Sequence, residues 1–253
     1  MGLTGSEAKT AKPADHAVRV REMFARIAGR YDLLNHLLSA NTDKRWRRIV
    51  ATKLGRAIAR DSRVLDVACG TGDLSIQIFE TIGGRVVGLD FCRPMLDIAR
   101  RKTDQIPFVE GDALELPFAD ETFDAVTIAF GLRNLTDTAQ GLSELRRVIK
   151  AGGWLAILEF SKPKSPAFRR LYEFYFRRLL PPLGGLVSGS QSAYQYLPDS
   201  VLLFPDQAGL AGLMRDAGFT AVEWQNLTAG VAAIHMGQRA AKPVVGNEEL
   251  GSR

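Results

Sequence analysis

Between residues 63 and 160 the chain alternates two hydrophobic rhythms. Short, nearly unbroken apolar runs at 63–68, 85–90, 106–110, 123–130 and 154–160 are separated by stretches at 73–82, 94–102 and 137–149, where apolar residues recur three and four apart. The first rhythm fits strands buried on both faces and the second fits amphipathic helices. Their alternation predicts an α/β fold: a mostly parallel sheet with helices on both faces and right-handed crossovers. Beyond it, a helical pattern at 206–217 and two strand-like runs at 219–227 and 230–238, joined by a short turn, predict an antiparallel hairpin closing a seven-stranded sheet.

The sheet region is preceded by a helical lead-in from Val18 to Ala59. Apolar residues keep helical spacing at Val20, Phe24 and Ile27 and again at Leu33, Leu34, Leu37 and Leu38, with breaks at Gly29 and near Asn41. Residues 1–15 and 240–253 are small and polar, as expected of disordered tails. One domain over 16–239 is expected, with a Pro-rich, aromatic insertion at 161–205 on its substrate side. No internal repeat is present.

Composition narrows the class. At 253 residues and 46% hydrophobic, the chain can bury a substantial core. Its longest apolar runs, such as "WLAIL" and "AVTIAF", fall far short of a membrane span, which needs about 20 residues, and no basic-then-apolar leader opens the chain. A cytoplasmic protein is expected. The two cysteines, Cys69 and Cys92, are not in a Cys-x-x-Cys pair and suggest neither a disulfide framework nor zinc. The net charge of +5 is modest for a nucleic-acid protein, although "DKRWRR" at 43–48 and the arginine pairs at 169–170 and 177–178 concentrate it.

Candidate chemistry begins at "VLDVACGTGDL", residues 64–74, where the first strand runs into a glycine turn that opens a helix. Open α/β sheets bind ligands at that edge. Gly70 and Gly72 would let a ligand approach the main chain, and free N–H groups at the helix start would favour a negative group. In a dinucleotide-binding turn the third glycine would stand at Ser75, which weakens that reading. Asp90, twenty residues beyond Gly70, ends the second strand, where an acid can accept both ribose hydroxyls of an adenosine. Asp112, in "EGDALELPF" after the third strand, can accept from an adenine amino group. A nucleoside cradled by three strand ends, with no pyrophosphate, suits S-adenosylmethionine. The alternative for Asp66, Asp90 and Asp112 is turn and cap chemistry.

The stretches "VLDVACGTGDLS", "VVGLDFCRPMLDIAR", "GDALELPFADETFDAVTIAFGLRNLTD" and "GGWLAILEF" resemble the class I S-adenosylmethionine-dependent methyltransferases. More narrowly, "AFGLRNLTD" at 129–137, "FARIAGRYDLLNHLLS" at 24–39 and "SAYQYLPDSVLLFP" at 192–205 resemble the ubiquinone/menaquinone biosynthesis C-methyltransferases. The likeness spans Val18 to Gln238. It implies a Rossmann-like class I fold, S-adenosylmethionine as cofactor and no metal. It implies cofactor contacts at Thr71, Asp90, Asp112 and Ala113, to which the residues themselves add Asp66, Gly70 and Gly72. The family often has Asn where Asp112 stands, which keeps an acceptor. It often has Ser where Ala129 stands, so Ala129 can offer only main chain or van der Waals contact.

The implied substrate is a prenylated quinol, demethylmenaquinol with the ubiquinol precursor beside it. Methylating a ring carbon requires an arene made electron-rich by loss of a hydroxyl proton, so the enzyme must hold two groups together and stabilise an oxyanion. Arg133 and Asn134, just beyond the fourth strand, are the candidates. Arg133 would stabilise the phenolate directly or through water, and Asn134 would orient the hydroxyl. The competing reading of Arg133 is an ion pair with Asp137 or Glu159. The proton acceptor is left unassigned.

A long isoprenoid tail calls for a lipophilic entrance, and Tyr31, Leu34 and Tyr194 are the candidate substrate contacts. Phe24, Leu38 and "FRRLYEFYFRRLLPPLGGLV" at 168–187 interleave apolar groups with arginine, which suits either peripheral contact with the inner membrane face or ordinary core packing. Two other functions stay open: a methyltransferase of this fold acting on another lipid or small acceptor, and a nucleic-acid-binding or RNA-modifying protein. Against the latter, no basic domain is appended, so no nucleic-acid partner is expected. Nothing in the pattern sets the oligomeric state.

Overall fold

The computed structural model describes residues 13–39, 41–165, 170, 196 and 200–241. Tyr194, the 171–195 stretch and most of both expected tails lie outside the described residues, as do the side chains at 34, 37 and 38.

The lead-in is three helices. Helix α1 (Pro13–Ile27) passes through a 3-10 turn (Ala28–Arg30) into α2 (Tyr31–Leu38), and α3 (Thr42–Ala57) follows an Asn41 in the left-handed region, φ 62°. The breaks fall at Gly29 and Asn41 as the periodicity predicts. The first helix starts at Pro13, earlier than the expected end of the tail, with proline at a position where its missing N–H costs nothing.

The sheet follows: β1 (Arg63–Val67), α4 (Asp73–Ile82), β2 (Arg85–Asp90), α5 (Arg93–Lys102), β3 (Phe108–Glu110), β4 (Phe123–Ala129), a 3-10 turn (Leu132–Asn134), α6 (Thr138–Val148) and β5 (Ile149–Phe160). Helix α7 (Gln207–Asp216) leads into β6 (Phe219–Leu227) and β7 (Ala232–Arg239). The strand order is β3-β2-β1-β4-β5-β7-β6, parallel from β3 through β5 and antiparallel at β7 and β6. This is the predicted seven-stranded sheet with its closing hairpin. Two boundaries moved for local reasons. Strand β5 begins at Ile149 because Ile149 pairs with Phe123 ahead of a register shift, with Gly152 at φ 79°. Strand β7 begins at Ala232 because Thr228–Gly230 forms a 3-10 turn.

Alternation along each strand divides the core between the faces. Val64, Val86, Ala125 and Ala156 pack with Trp46, Leu54 and Ile78 of α3 and α4, while Leu65, Val67, Val126 and Leu155 pack with Leu142, Leu145 and Met214 of α6 and α7. Among the described residues no helix is long and apolar enough to cross a membrane.

On the α4 face, Asp66 sits where the strand pattern calls for an apolar residue. It is 1% exposed and takes Ser75 Oγ at 2.6 Å and Thr127 Oγ1 at 2.7 Å on its two carboxylate oxygens. The register pairs Asp66 with Thr127 directly. Burial pushes its carboxyl up to about 6, against the pull of both hydroxyls. A group raised in this way favours folding below the ordinary carboxylate range and loses that contribution as pH rises through about 6. Asp66→Ala should therefore cost about 1–3 kcal/mol for each stranded hydroxyl in urea unfolding. Asp66→Asn, which can still pair both hydroxyls, should reduce the native decline in stability between pH 4 and 6, a change read from denaturation midpoints across that range.

Candidate active site

The carboxyl ends of β1, β2, β3 and β4 surround a cavity of about 240 Å³. Ala68 and Gly70 contribute from beyond β1, Leu89, Asp90 and Phe91 from β2, Gly111 to Leu114 from beyond β3, and Ala129 to Gly131 from β4. Asn134 and Leu135 close one end, and the lead-in roofs it with Ala17, Phe24 and Tyr31. A cleft at the edge where strand order reverses between β1 and β4 is what a doubly wound sheet provides.

Of the residues singled out from sequence, the structure brings Gly70, Asp90, Asp112, Ala113, Ala129, Asn134 and Tyr31 together on this cavity. Asp66, Thr71, Gly72 and Arg133 do not line it. Asp66 is turned into the sheet–helix interface, a consequence of period-two alternation that puts it on the face of Val64. Thr71 donates its hydroxyl to Asp32 Oδ1 at 2.5 Å. Gly72 has φ 82°, and a Cβ there would meet Phe108 Cζ at 2.9 Å, so this glycine serves the turn and its packing. Two main-chain donors of the turn are engaged: Gly70 N–H donates to Asp90 Oδ2 at 2.8 Å and Gly72 N–H to Cys69 O at 3.0 Å. The ladder of α4 begins with Ile76 N–H donating to Gly72 O at 2.9 Å, so the N–H groups of its first turn, ahead of that bond, are the ones at the helix start. The contacts expected at Leu34 and Tyr194 lie outside the described residues.

Asp90 is the dominant charge. It is 5% exposed, and its Oδ1 accepts from Cys92 N–H at 2.8 Å. Burial raises its carboxyl to about 6 even against those main-chain donors. Asp112 is more exposed, and its Oδ1 accepts from Leu114 N–H at 2.8 Å.

At the other end of the cavity Asn134 is held on both sides. Its Nδ2 donates to Phe130 O at 3.2 Å, and its Oδ1 accepts from Tyr196 Oη at 3.1 Å. Arg133 lies behind it, paired with Glu159 through Nη1 and Oε1 at 2.8 Å, with side chains only 6% and 1% exposed. The same nitrogen donates to Phe130 O, and the guanidinium lies 5.4 Å from the Phe160 ring centroid. Of the two ion-pair partners considered, Glu159 is the one used; Asp137 instead caps α6 by accepting from Gln140 N–H. Arg133 Nε is buried without a hydrogen-bond partner among the described residues. Burial raises the Glu159 carboxyl, opposed by the Arg133 charge. Burial also raises the Tyr31 phenol, and there Arg133 and Arg47 pull down while Asp90 pushes up.

Sequence reasoning passed over Tyr196, Phe130 and Asp32. Tyr196 stands two residues from Tyr194 in the same "SAYQYLPDS" stretch, and no periodicity separates them. Asp32 belongs to a network that ties the roof to the sheet: Lys102 Nζ lies 2.6 Å from both Asp32 and Asp73, and Arg47 and His36 bridge Asp73 to Asp43. Among the described residues, no group of three or more His, Cys, Asp or Glu could hold a metal.

The sheet order, the closing hairpin and the cleft define a class I methyltransferase fold. Solved structures agree: a SAM-dependent methyltransferase from Thermotoga maritima superposes with a TM-score of 0.61 at 19% identity, covering 86% of this chain and 98% of that one. The [4+2]-cyclase SpnF superposes at 0.65 with 16% identity, covering 88% and 96%. A cyclase on the same fold means that fold alone does not decide the chemistry. The chain belongs to the ubiE/COQ5 methyltransferase family, which it matches over residues 11–239. It is 52% identical over 223 residues to a demethylmenaquinone methyltransferase of Thermus thermophilus, covering 86% of this chain and 100% of the relative. It is 47% identical over 232 residues to the ubiquinone/menaquinone biosynthesis C-methyltransferase UbiE of Geobacter sulfurreducens, covering 88% and 90%. It is an enzyme, an S-adenosylmethionine-dependent methyltransferase, and the family resemblance read from its motifs holds.

The cavity brings together a buried acid at the end of β2, Asp112 beyond β3, and Leu89 and Met95 as apolar wall; if Asp90 accepts the ribose hydroxyls of the cofactor, its removal is testable. Asp90→Ala should weaken S-adenosylmethionine by roughly 30- to 150-fold, about 2–3 kcal/mol, in a calorimetric titration at pH 7.5. Because the ionised carboxylate is the better acceptor, native affinity should fall as pH drops through about 6. Asp90→Asn should bind weakly with little change between pH 5 and 7. Native-like affinity in either variant would remove Asp90 from the cofactor site.

Proposed function

We propose that the protein transfers the methyl group of S-adenosylmethionine to a ring carbon of a prenylated quinol, demethylmenaquinol being the preferred acceptor. One observation carries the reading: a cavity with a buried acid at one end has at its other end Asn134, backed by a guanidinium whose buried Nε–H has no partner among the described residues. The substrate class is supported by relatives named for menaquinone and ubiquinone biosynthesis that match nearly end to end.

When bound, S-adenosylmethionine supplies an electrophilic methyl group; the residues of the chain make the acceptor nucleophilic. Asp90, Asp112 and Ala113 hold the adenosine. A phenolate pushes electron density onto its ring, so any group that favours the ionised hydroxyl speeds carbon attack. Arg133 does this as a fixed positive charge that need not reorganise, its Nη1 held by both Glu159 and Phe130 O. Asn134 orients the hydroxyl. Its amide is already bonded to Phe130 O and Tyr196, which fixes its direction. Tyr31, between the two ends, excludes water and packs on the ring.

The roof carries an apolar rim. Val18 is 54% exposed on α1 and Leu33 61% on α2, side chains that water solvates poorly and that suit an isoprenoid tail or the surface of the bilayer that holds it. The enzyme then works from the cytoplasm at the inner membrane face.

The chemistry is tested by incubating the enzyme with labelled S-adenosylmethionine and reduced demethylmenaquinol. Label on a ring carbon is expected; label on oxygen, or on another lipid of a crude extract, would overturn the reading. Arg133→Ala should lower turnover of the folded fraction by roughly 10²- to 10³-fold, about 2.7–4 kcal/mol, with cofactor affinity nearly unchanged and Arg133→Lys in between. The rising limb of its pH–rate profile should move to more alkaline pH. A native pH profile in the surviving active fraction would reduce Arg133 to a structural partner of Glu159. Leu33→Asp, at an exposed site, should leave the melting temperature unchanged and impair a long-tailed substrate more than a tailless one.

A further inference from the structure

Phe130 adopts φ 56°, in the left-handed region that a bulky aromatic residue rarely enters. It is at the cavity wall, immediately after β4, and the adjacent parallel strand β1 ends the same way, with Ala68 at φ 52°. Strain of this kind persists only where neighbours over-determine the backbone, and it gathers at functional sites. The neighbours here are identifiable. Phe130 N–H donates to Leu158 O at 2.8 Å, continuing the β4–β5 ladder one residue past β4. At Gly131 a Cβ would meet the Ala68 Cβ at 2.5 Å, so the chain turns at once. The ring is pinned by Phe160, with centroids 4.7 Å apart, and by Trp46 at 6.1 Å.

The left-handed turn has one chemical consequence. The Phe130 carbonyl, in place of continuing toward β5, accepts from both Arg133 Nη1 and Asn134 Nδ2, the two side chains assigned to the acceptor hydroxyl. Strand β5 thus holds the pair twice, through Leu158 O on the Phe130 amide and through Glu159 on Arg133. We infer that Phe130 is a positioning residue, and that its left-handed backbone, more than its ring, sets the placement of Arg133 and Asn134. This rests on the roles given above to those two residues.

The test separates backbone from ring. Glycine and asparagine accept positive φ readily, whereas a β-branched residue opposes it. In the full-length protein, Phe130→Gly and Phe130→Asn should keep the native rising limb of the pH–rate profile and native NMR positions for the Asn134 side-chain amide and the Arg133 Nε–H. Their KM for the quinol should rise with loss of the ring. Phe130→Val should displace those resonances, lower kcat of the folded fraction by about 10- to 100-fold, as expected when reacting groups are misplaced by an ångström, and move the rising limb to alkaline pH. The asparagine variant guards against loosened packing in the glycine one. Equal losses of kcat in all three variants with unmoved resonances would overturn the inference in favour of the ring, and a native Phe130→Val would overturn it outright. Displaced resonances with native turnover in Phe130→Val would uphold the placement and overturn the roles of Arg133 and Asn134.

Discussion

The hydrogen bond from Gly70 N–H to the buried Asp90 carboxylate joins the turn after β1 to the end of β2, and the cavity is organised around it. Two parallel strands end side by side, so their main chains must diverge without leaving polar groups stranded in a site that excludes water. Asp90 resolves this by accepting from Gly70 on one side and Cys92 on the other. The same carboxylate is thereby aimed and desolvated. Its raised proton affinity follows from that burial, and a ligand that offers hydroxyls to the carboxylate relieves it.

The acceptor end follows a parallel logic with the opposite charge. Arg133 and Glu159 are both nearly dry, a pairing that contributes little net stability against the cost of desolvating two ions. Such a pair makes better sense as a device for holding a cation at a fixed point than as a staple of the fold. An ion pair and a functional cation are therefore not exclusive readings. Glu159 engages Nη1 and leaves the buried Nε–H without a partner among the described residues, which a purely structural arginine would have little reason to tolerate.

Between the two ends lies a roof that the sheet alone would not supply. Helix α2 is tied to the glycine turn by Asp32 and Thr71, to α5 by Lys102 and to α3 by His36 and Asp43. Asp32, Lys102 and His36 are partly exposed while Thr71 and Asp43 are buried, and as a network they register Tyr31 over the cavity. Thr71, in the most recognisable motif of the chain, is employed in this attachment.

The seven strands, their helices and the hairpin could be read from periodicity alone, because a parallel sheet covered on both faces needs continuous apolar runs and its helices need a 3.6-residue stripe. Asp90, Asp112 and the Arg133–Asn134 turn were legible for a related reason: polar residues at strand ends stand out against apolar runs, and the motifs around them resemble a known family. What each side chain does was decided by tertiary structure. Asp66 resembles Asp90 in sequence, an acid at the end of an apolar run, yet alternation turns it toward Ser75 and Thr127 and away from the cleft. Thr71 and Gly72 belong to the glycine turn but serve the roof and the packing against Phe108. The choice of Glu159 over Asp137 for Arg133, the left-handed Phe130 and the meeting of Tyr196 with Asn134 depend on β4 lying beside β5 and on chain segments up to 62 residues apart, contacts that no local pattern encodes.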